Sequence, residues 1–172
     1  MLLVKKGAEP QPVGWITVAE VIRALHVLEP KRPITRDQLH YWDARAVVPV
    51  RRAKNGSVLL YSTDDVALVR VIVRLVATQA IPQHITAALR YLRVPIRNAF
   101  REKTSPQFLW IDDRGIGAVV GASQIPAGAI HVVDLQDCWR GSSRAMRAEL
   151  QKRRAHVWDG WRHVATKDLV AA

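Results

Sequence analysis

Cysteine is almost absent from this sequence. Cys138 stands alone among 172 residues, so no disulfide can form within the chain and a reducing cytoplasm is its expected home. Long apolar runs are missing too. None approaches the roughly 18 residues that span a bilayer, so no membrane partner is expected. The opening MLLVKKGAEPQPVG carries its lysines behind three apolar residues and lacks a sustained apolar core, which does not make a secretory signal. The six histidines (26, 40, 84, 131, 156 and 163) form no His-x-x-x-His or Cys/His spacing, and no zinc site is expected. Gly115-x-Gly117 lacks both the lysine and the following helix of a nucleotide-binding loop. Acidic residues are few, and only Asp112, Asp113, Asp134 and Asp137 gather near the ends of expected strands. Paired carboxylates of that kind can hold Mg²⁺ for phosphodiester cleavage. Here Asp112-Asp113-Arg114-Gly115 is also an ordinary hairpin turn, and Asp134 and Asp137 serve as a helix cap and a first-turn acid. No catalytic residue, metal or cofactor is assigned.

What the chain has in excess is positive charge. It holds 26 Lys and Arg against 15 Asp and Glu, a net charge of +11 and a pI of about 10.7. Such a surplus attracts polyanions at long range and gains from counterion release when it neutralises phosphates. The distribution is uneven: residues 1–104 contain 17 basic and 8 acidic side chains, and residues 105–172 contain 9 and 7.

Residues 1–14, with Gly7, Pro10, Pro12 and Gly14, form an expected flexible arm. Thr17 and Glu20 then make a capping box that starts a helix through about His26, with Val21, Ile22 and Leu25 on its apolar face. Pro30 and Pro33 interrupt the chain. A second helix starts at Thr35, with Gln38 as the reciprocal cap. Leu39, Trp42 and Ala46 recur at helical spacing and should face the core, leaving Arg36, His40 and Asp43 opposite. Lys54-Asn55-Gly56 is a tight-turn signal between VPVRR and SVLLY, which together spell a two-stranded wing. Ser62 and Asp65 cap a third helix that buries Val66, Val69, Ile72, Val73 and Val76, while Arg70 and Arg74 should point outward. Pro82 opens a fourth helix with a packed stripe of Ile85, Ala88, Leu89 and Leu92, closed by Pro95. FLWID, AVVG and AIHVVDL follow as three short strands. After Ser142 and Ser143 a last helix begins, in which Met146, Leu150, Val157 and Trp161 make an a/d-like seam.

With the helices laid out, residues 15 to about 93 resemble the winged helix-turn-helix domain of the MerR family of bacterial regulators. The matching residues are Leu39-His40-Tyr41-Trp42 in the second helix and Ala46-Val47-Val48-Pro49 in the turn. Arg51-Arg52, Asn55-Gly56 and Tyr61-Ser62 match in the wing, and Ala80-Ile81-Pro82 through Ile85 match in the later helical pair. The sequence departs from the family at His40, where an arginine is usual, and in the wing strand Ser57-Val58-Leu59-Leu60, which lacks the family's arginine. The stretch between the first two helices is longer than usual, and no long dimerisation helix follows residue 93.

In a helix-turn-helix the second helix enters the major groove with its N-terminal residues nearest the bases. Arg36 and Gln38 have the donors and acceptors for bidentate contacts to guanine and adenine. His40 is placed for a base or a phosphate, and Tyr41 for the backbone. Arg51, Arg52 and Lys54 would position the wing on phosphate or in the minor groove. The candidate DNA-binding set is therefore Thr35, Arg36, Gln38, His40, Tyr41, Arg45, Arg51, Arg52, Lys54, Asn55 and Ser57. Each has a bland alternative, above all Trp42 and Tyr41 as core and the arginines as solvated helix charges. Gln151-Lys152-Arg153-Arg154 is a second basic cluster, either on flanking phosphates or on a solvated face.

The expected fold is α+β: a MerR-like winged helix-turn-helix domain at 15–95, a linker at 96–107, and a small three-stranded α+β domain at 108–172. The resemblance implies a non-enzymatic, sequence-specific double-stranded DNA-binding transcription regulator of bacterial or phage origin, cytoplasmic and nucleoid-associated. It further implies a homodimer, here formed through the C-terminal region, and RNA polymerase as a partner. If the C-terminal part supplies the dimer contact, removing residues 105–172 should leave a folded monomer with much weaker operator affinity. Two other functions fit the same residues: an excisionase-like architectural or recombination accessory protein, and a winged helix that binds protein.

Overall fold

A computed structural model gives the element order and describes residues 14–53, 56, 58–76, 82–102, 104–112, 114–129 and 131–170. The side chains of 82–85 and 156–170 lie outside that description. Ile16–Thr17 forms β1 and runs straight into helix α1 (Val18–Leu28). The Glu20 carboxylate accepts the Thr17 N–H at 2.7 Å, so the capping box works as the sequence implied. Helix α2 (Arg36–Ala44) starts in the same way, with the Thr35 N–H donating to Gln38 Oε1 at 2.9 Å and the Gln38 N–H to Thr35 Oγ1 at 3.2 Å.

Strands β2 (Arg51–Arg52) and β3 (Leu59–Tyr61) are the wing, and β1 adds a third antiparallel strand that the sequence did not announce, in the order β1-β3-β2. Helix α3 (Thr63–Val76) is capped by Ser62, whose hydroxyl accepts the Asp65 N–H. It is buried on nearly every side because the wing strand β3, α4 (Pro82–Arg101), the second sheet and α5 (Leu135–Val170) all pack around it.

Four expectations fail here, the first at Val76, which stands exposed at the end of α3 rather than in the core. Ala46 is not a core residue: α2 ends two residues earlier, and Ala46 sits exposed in a left-handed turn at φ 54° that reverses the chain towards Val47 and Val48. Arg70 does not point outward. Its side chain is buried, with Nε donating to Glu29 at 2.8 Å and Nη1 to the Asp137 carbonyl at 2.8 Å; Arg74 reaches the same Glu29 and Asp137. Pro95 does not end α4, so residues 96–101 are helix rather than linker. A proline inside a helix costs about 3 kcal/mol. Burial of Ile96 and Phe100, at about 1.5–3 kcal/mol each, outweighs that cost. The acceptor that Pro95 cannot use belongs to Tyr91, a residue on the exposed side of the helix.

The C-terminal part begins with β4 (Gln107–Ile111), β5 (Gly117–Gly121) and β6 (His131–Asp134), which pair in the order β5-β4-β6. These are the three strands expected. Leu109, Ile111 and Val133 turn into the core. Asp112 shapes the β4–β5 turn, where its Oδ1 accepts the N–H of Arg114 and of Ile116. Helix α5 starts at Leu135, well before Ser143, because the Asp134 carboxylate caps it through the Asp137 N–H at 2.8 Å. Gly141 continues the helix for a packing reason: a Cβ there would stand 2.2 Å from Arg70 Nη1.

The two parts share one core. Met146 is buried and Leu150 packs beside it against the winged-helix side chains, so the first half of the expected seam is satisfied within the chain. Val157 and Trp161 have side chains outside the described residues. Removing 105–172 would uncover the faces of α1 and α3 on which α5 packs. The Glu29–Arg70–Arg74–Asp137 cluster joins the parts in charge as well. Burial alone would raise the Glu29 carboxyl, but hydrogen bonds from Arg74 and Arg70 outweigh it and hold the group below its ordinary range. Burial pushes the neighbouring Cys138 thiol up to about 12, against the opposing pull of the two arginines. Among the described residues, no helix is long and apolar enough to cross a membrane.

Candidate nucleic-acid interface

Leu39 and Trp42 are buried and anchor α2 on the core, which turns Arg36, Asp37, His40, Tyr41 and Ala44 to solvent. Arg36 and His40 make no hydrogen bond or ion pair among the described residues. They are unspent donors on the outward face of a helix whose register is fixed by its cap. Thr35 is committed to that cap. Gln38 is exposed, but its Oε1 already accepts from Thr35, so in this rotamer only its Nε2 group is free for a partner. A bidentate adenine contact from Gln38 would cost the cap.

Arg45 lies with its guanidinium carbon 5.2 Å from the Tyr41 ring centroid, which holds both side chains together at the C-terminal end of α2. Asp43 is not on the open face as its spacing suggested. Its carboxylate takes the Val50 N–H at 3.3 Å and the Arg52 Nη2 at 2.6 Å, tying the helix to the wing. Arg52 stays more than half exposed in that pair. Arg51, exposed on β2, sits 5.7 Å over the Trp15 ring. Lys54, Asn55 and Ser57 fall outside the described residues; Gly56 between them has φ +71°, the left-handed conformation a tight turn uses.

Two arginines that the sequence reading passed over complete the unit. Arg90 Nε donates to the Arg45 carbonyl at 2.8 Å, and Arg93 Nη1 to the Ala46 carbonyl at 3.2 Å. They satisfy carbonyls left open where α2 ends, and they brace the turn from α4. Their three-residue spacing on the polar side of α4 was the available signal. The second cluster in the sequence resolves differently. Arg153 donates to Glu20 and to the Trp15 carbonyl, and Lys152 to Glu149, so both are spent on internal contacts. Of the carboxylates considered for a metal, Asp112 is employed in its turn, Asp134 as a cap and Asp137 with Arg70 and Arg74, and Asp113 lies outside the described residues.

A capped helix with free basic residues at its start, a basic wing tied to it, and a braced turn between them are the parts of a winged helix-turn-helix. Residues 16–92 match the model of the MerR HTH family of regulatory proteins. The matched stretch runs from β1 into α4, and the remainder of α4, the second sheet and α5 lie beyond it. Against that family's pattern, His40 stands where a second-helix arginine is usual, and Ala46 where the turn carries glycine. No curated protein matches the chain.

Proposed function

We propose that this chain is a transcription regulator that reads a specific double-stranded DNA sequence with α2 and positions itself with the β2–β3 wing. Arg36 carries the reading: it is exposed, without a hydrogen bond or ion pair among the described residues, and placed one residue inside a fixed helix start. There its guanidinium has the fork geometry to take guanine O6 and N7 together. His40 lies one turn further on the same face, and Tyr41, Arg45 and Arg51 supply phosphate contacts around it. Arg52 contributes as half of the pair with Asp43.

The regulator works as a homodimer on a pseudo-palindromic site, with the part of α5 beyond residue 155 as the dimer contact and RNA polymerase as a further partner. Such a protein acts at the nucleoid. The experiment is selection from a random duplex library at about 0.15 M salt with nonspecific competitor. An enriched inverted repeat is the expected result, and its half-site spacing reports dimer geometry. Retention with no enriched sequence would replace the regulator with an architectural, excisionase-like role. No retention would turn the winged helix into a protein-binding module.

A further inference from the structure

Helix α5 uses one face to pack on α1 and α3, through Cys138, Ser142, Met146, Glu149 and Arg153. On the opposite face stand Arg140, Arg144, Arg147, Gln151 and Arg154, all exposed. Steps of four, three, four and three residues keep them within a sector of about 80° along about 21 Å of helix. Arg140, Arg144 and Arg154 have no hydrogen bond or ion pair among the described residues, and Arg147 donates only to the Ser143 carbonyl of its own helix. An open groove of about 480 Å³ runs beside the first three arginines. Its one carboxylate, Asp137, is already held by Arg70 and Arg74.

Like charges spaced three and four apart on a helix destabilise it by about 0.2–0.5 kcal/mol per pair. Several other helix arginines are neutralised: Arg23, Arg70, Arg74, Arg97 and Arg101 each meet a carboxylate, and Arg90 and Arg93 are held by backbone carbonyls. The ridge on α5 is left open, which is what a surface built for an external polyanion requires. We infer that Arg140, Arg144, Arg147 and Arg154 form a second phosphate-binding surface for duplex DNA, on a different helix from α2. Phosphate backbone suits a straight row of guanidinium groups because duplex DNA offers a charge about every 1.7 Å of its axis. The chain then holds one duplex through its MerR-type domain and a second segment along α5.

The test uses the full chain and labelled duplexes taken from the pool that wild type retains. Wild type bound to an immobilised duplex should capture a second, free duplex, and the variant Arg140→Gln/Arg144→Gln/Arg147→Gln should capture it far more weakly. That variant should still bind the immobilised duplex, which also shows that it folds. Losing three phosphate contacts lowers the dependence of log K on log salt for the second capture by about 2.7. Over a fourfold rise in salt, wild type should therefore lose about 40-fold more second-duplex affinity than the variant. Undiminished capture by the variant overturns the inference and leaves the ridge to an acidic protein. Failure of wild type to capture a second duplex, while holding the first, overturns it without touching the reading of α2. Failure to retain any duplex overturns both.

Discussion

Gly141→Ala separates local from tertiary control of α5, because the two make opposite forecasts. In a helix interior, alanine is better than glycine by about 1 kcal/mol, so propensity alone forecasts a more stable protein. The structure forecasts the reverse. The new Cβ would fall 2.2 Å from Arg70 Nη1 and 3.1 Å from its Cζ, and the guanidinium has to leave. It is not free to swing, being 5% exposed, with Nε on Glu29 and Nη1 on the Asp137 carbonyl. Hydrogen bonds from a charged group contribute about 1.5–3 kcal/mol, and leaving such a charge buried without its partners costs more. Set against the helix gain of about 1 kcal/mol, the net is a loss of about 1–3 kcal/mol. For a chain of this size that lowers Tm by roughly 2–10 °C.

The assay is thermal and urea unfolding of wild type, Gly141→Ala, Arg70→Ala and the double variant. In the Arg70→Ala background the same glycine substitution should stabilise, since nothing remains to clash. A higher Tm for the single Gly141→Ala variant would refute the reasoning and show that Arg70 is not confined where the geometry puts it. Equal effects of Gly141→Ala in both backgrounds would do the same.

Other expectations follow from single residues. Ala46→Gly should stabilise by up to about 1 kcal/mol, because an L-residue in the left-handed region costs about 1–2 kcal/mol and glycine's freer unfolded chain takes back about 0.4–1; a lower urea midpoint would contradict it. Arg36→Ala should weaken binding to the selected duplex by about 1–3 kcal/mol and relax preference at one base pair, whereas Arg51→Ala should weaken all duplexes alike and reduce the salt slope by about 1. A competition series against single-base variants tells the two apart, and uniform loss for Arg36→Ala would remove it from base reading. Glu20 and Glu29 both have carboxyls lowered from 4.5: burial opposes the shift, while Arg153 and Thr17 for Glu20, and Arg74 and Arg70 for Glu29, produce it. Their contribution is therefore complete above pH 4.5 and fades as pH falls through the lowered values. Urea midpoints taken down to about pH 3 should drop less steeply for Glu29→Gln than for wild type.

The parts of the fold visible in the sequence are those settled within three or four residues. Thr17 with Glu20, Thr35 with Gln38, and Ser62 with Asp65 each decide a helix start by contacts three residues apart. The three strands of the second sheet also show, since alternation and turn residues are local. Partners far along the chain decide what the sequence hides. Arg70 turns inward to meet Glu29, 41 residues away, and the Asp137 carbonyl, 67 residues away. Gly141, Ser142 and Ser143 look like a helix break until Arg70 explains the glycine and burial explains Ser142. Pro95 looks like a stop until Ile96 and Phe100 are seen in the core. Strand β1, at two residues, is too short to carry any period. At the candidate interface, Arg36 and His40 were legible as an exposed face, but the bond between Asp43 and Arg52 was not, because only the wing's return brings them together.

The same distinction governs the charge. Net charge counts every arginine equally, yet Arg23, Arg52, Arg70, Arg74, Arg97, Arg101 and Arg153 each sit against a carboxylate. Such pairs are nearly neutral to a distant phosphate, so they add little to long-range attraction. The field that reaches a polyanion comes mainly from residues with no carboxylate partner among the described residues, including Arg36, Arg45 and Arg51 around α2, Arg90 and Arg93 on α4, and Arg140, Arg144, Arg147 and Arg154 along α5. A chain that neutralises part of its basic side chains internally has its affinity for DNA set by the open ones rather than by its pI. Substituting paired Arg97 or Arg101 should therefore cost stability while leaving the salt slope of DNA binding unchanged. Substituting one unpaired residue should lower the slope by about 1 and leave stability nearly unchanged. Changes in slope that track net charge alone, whichever arginine is removed, would defeat this division.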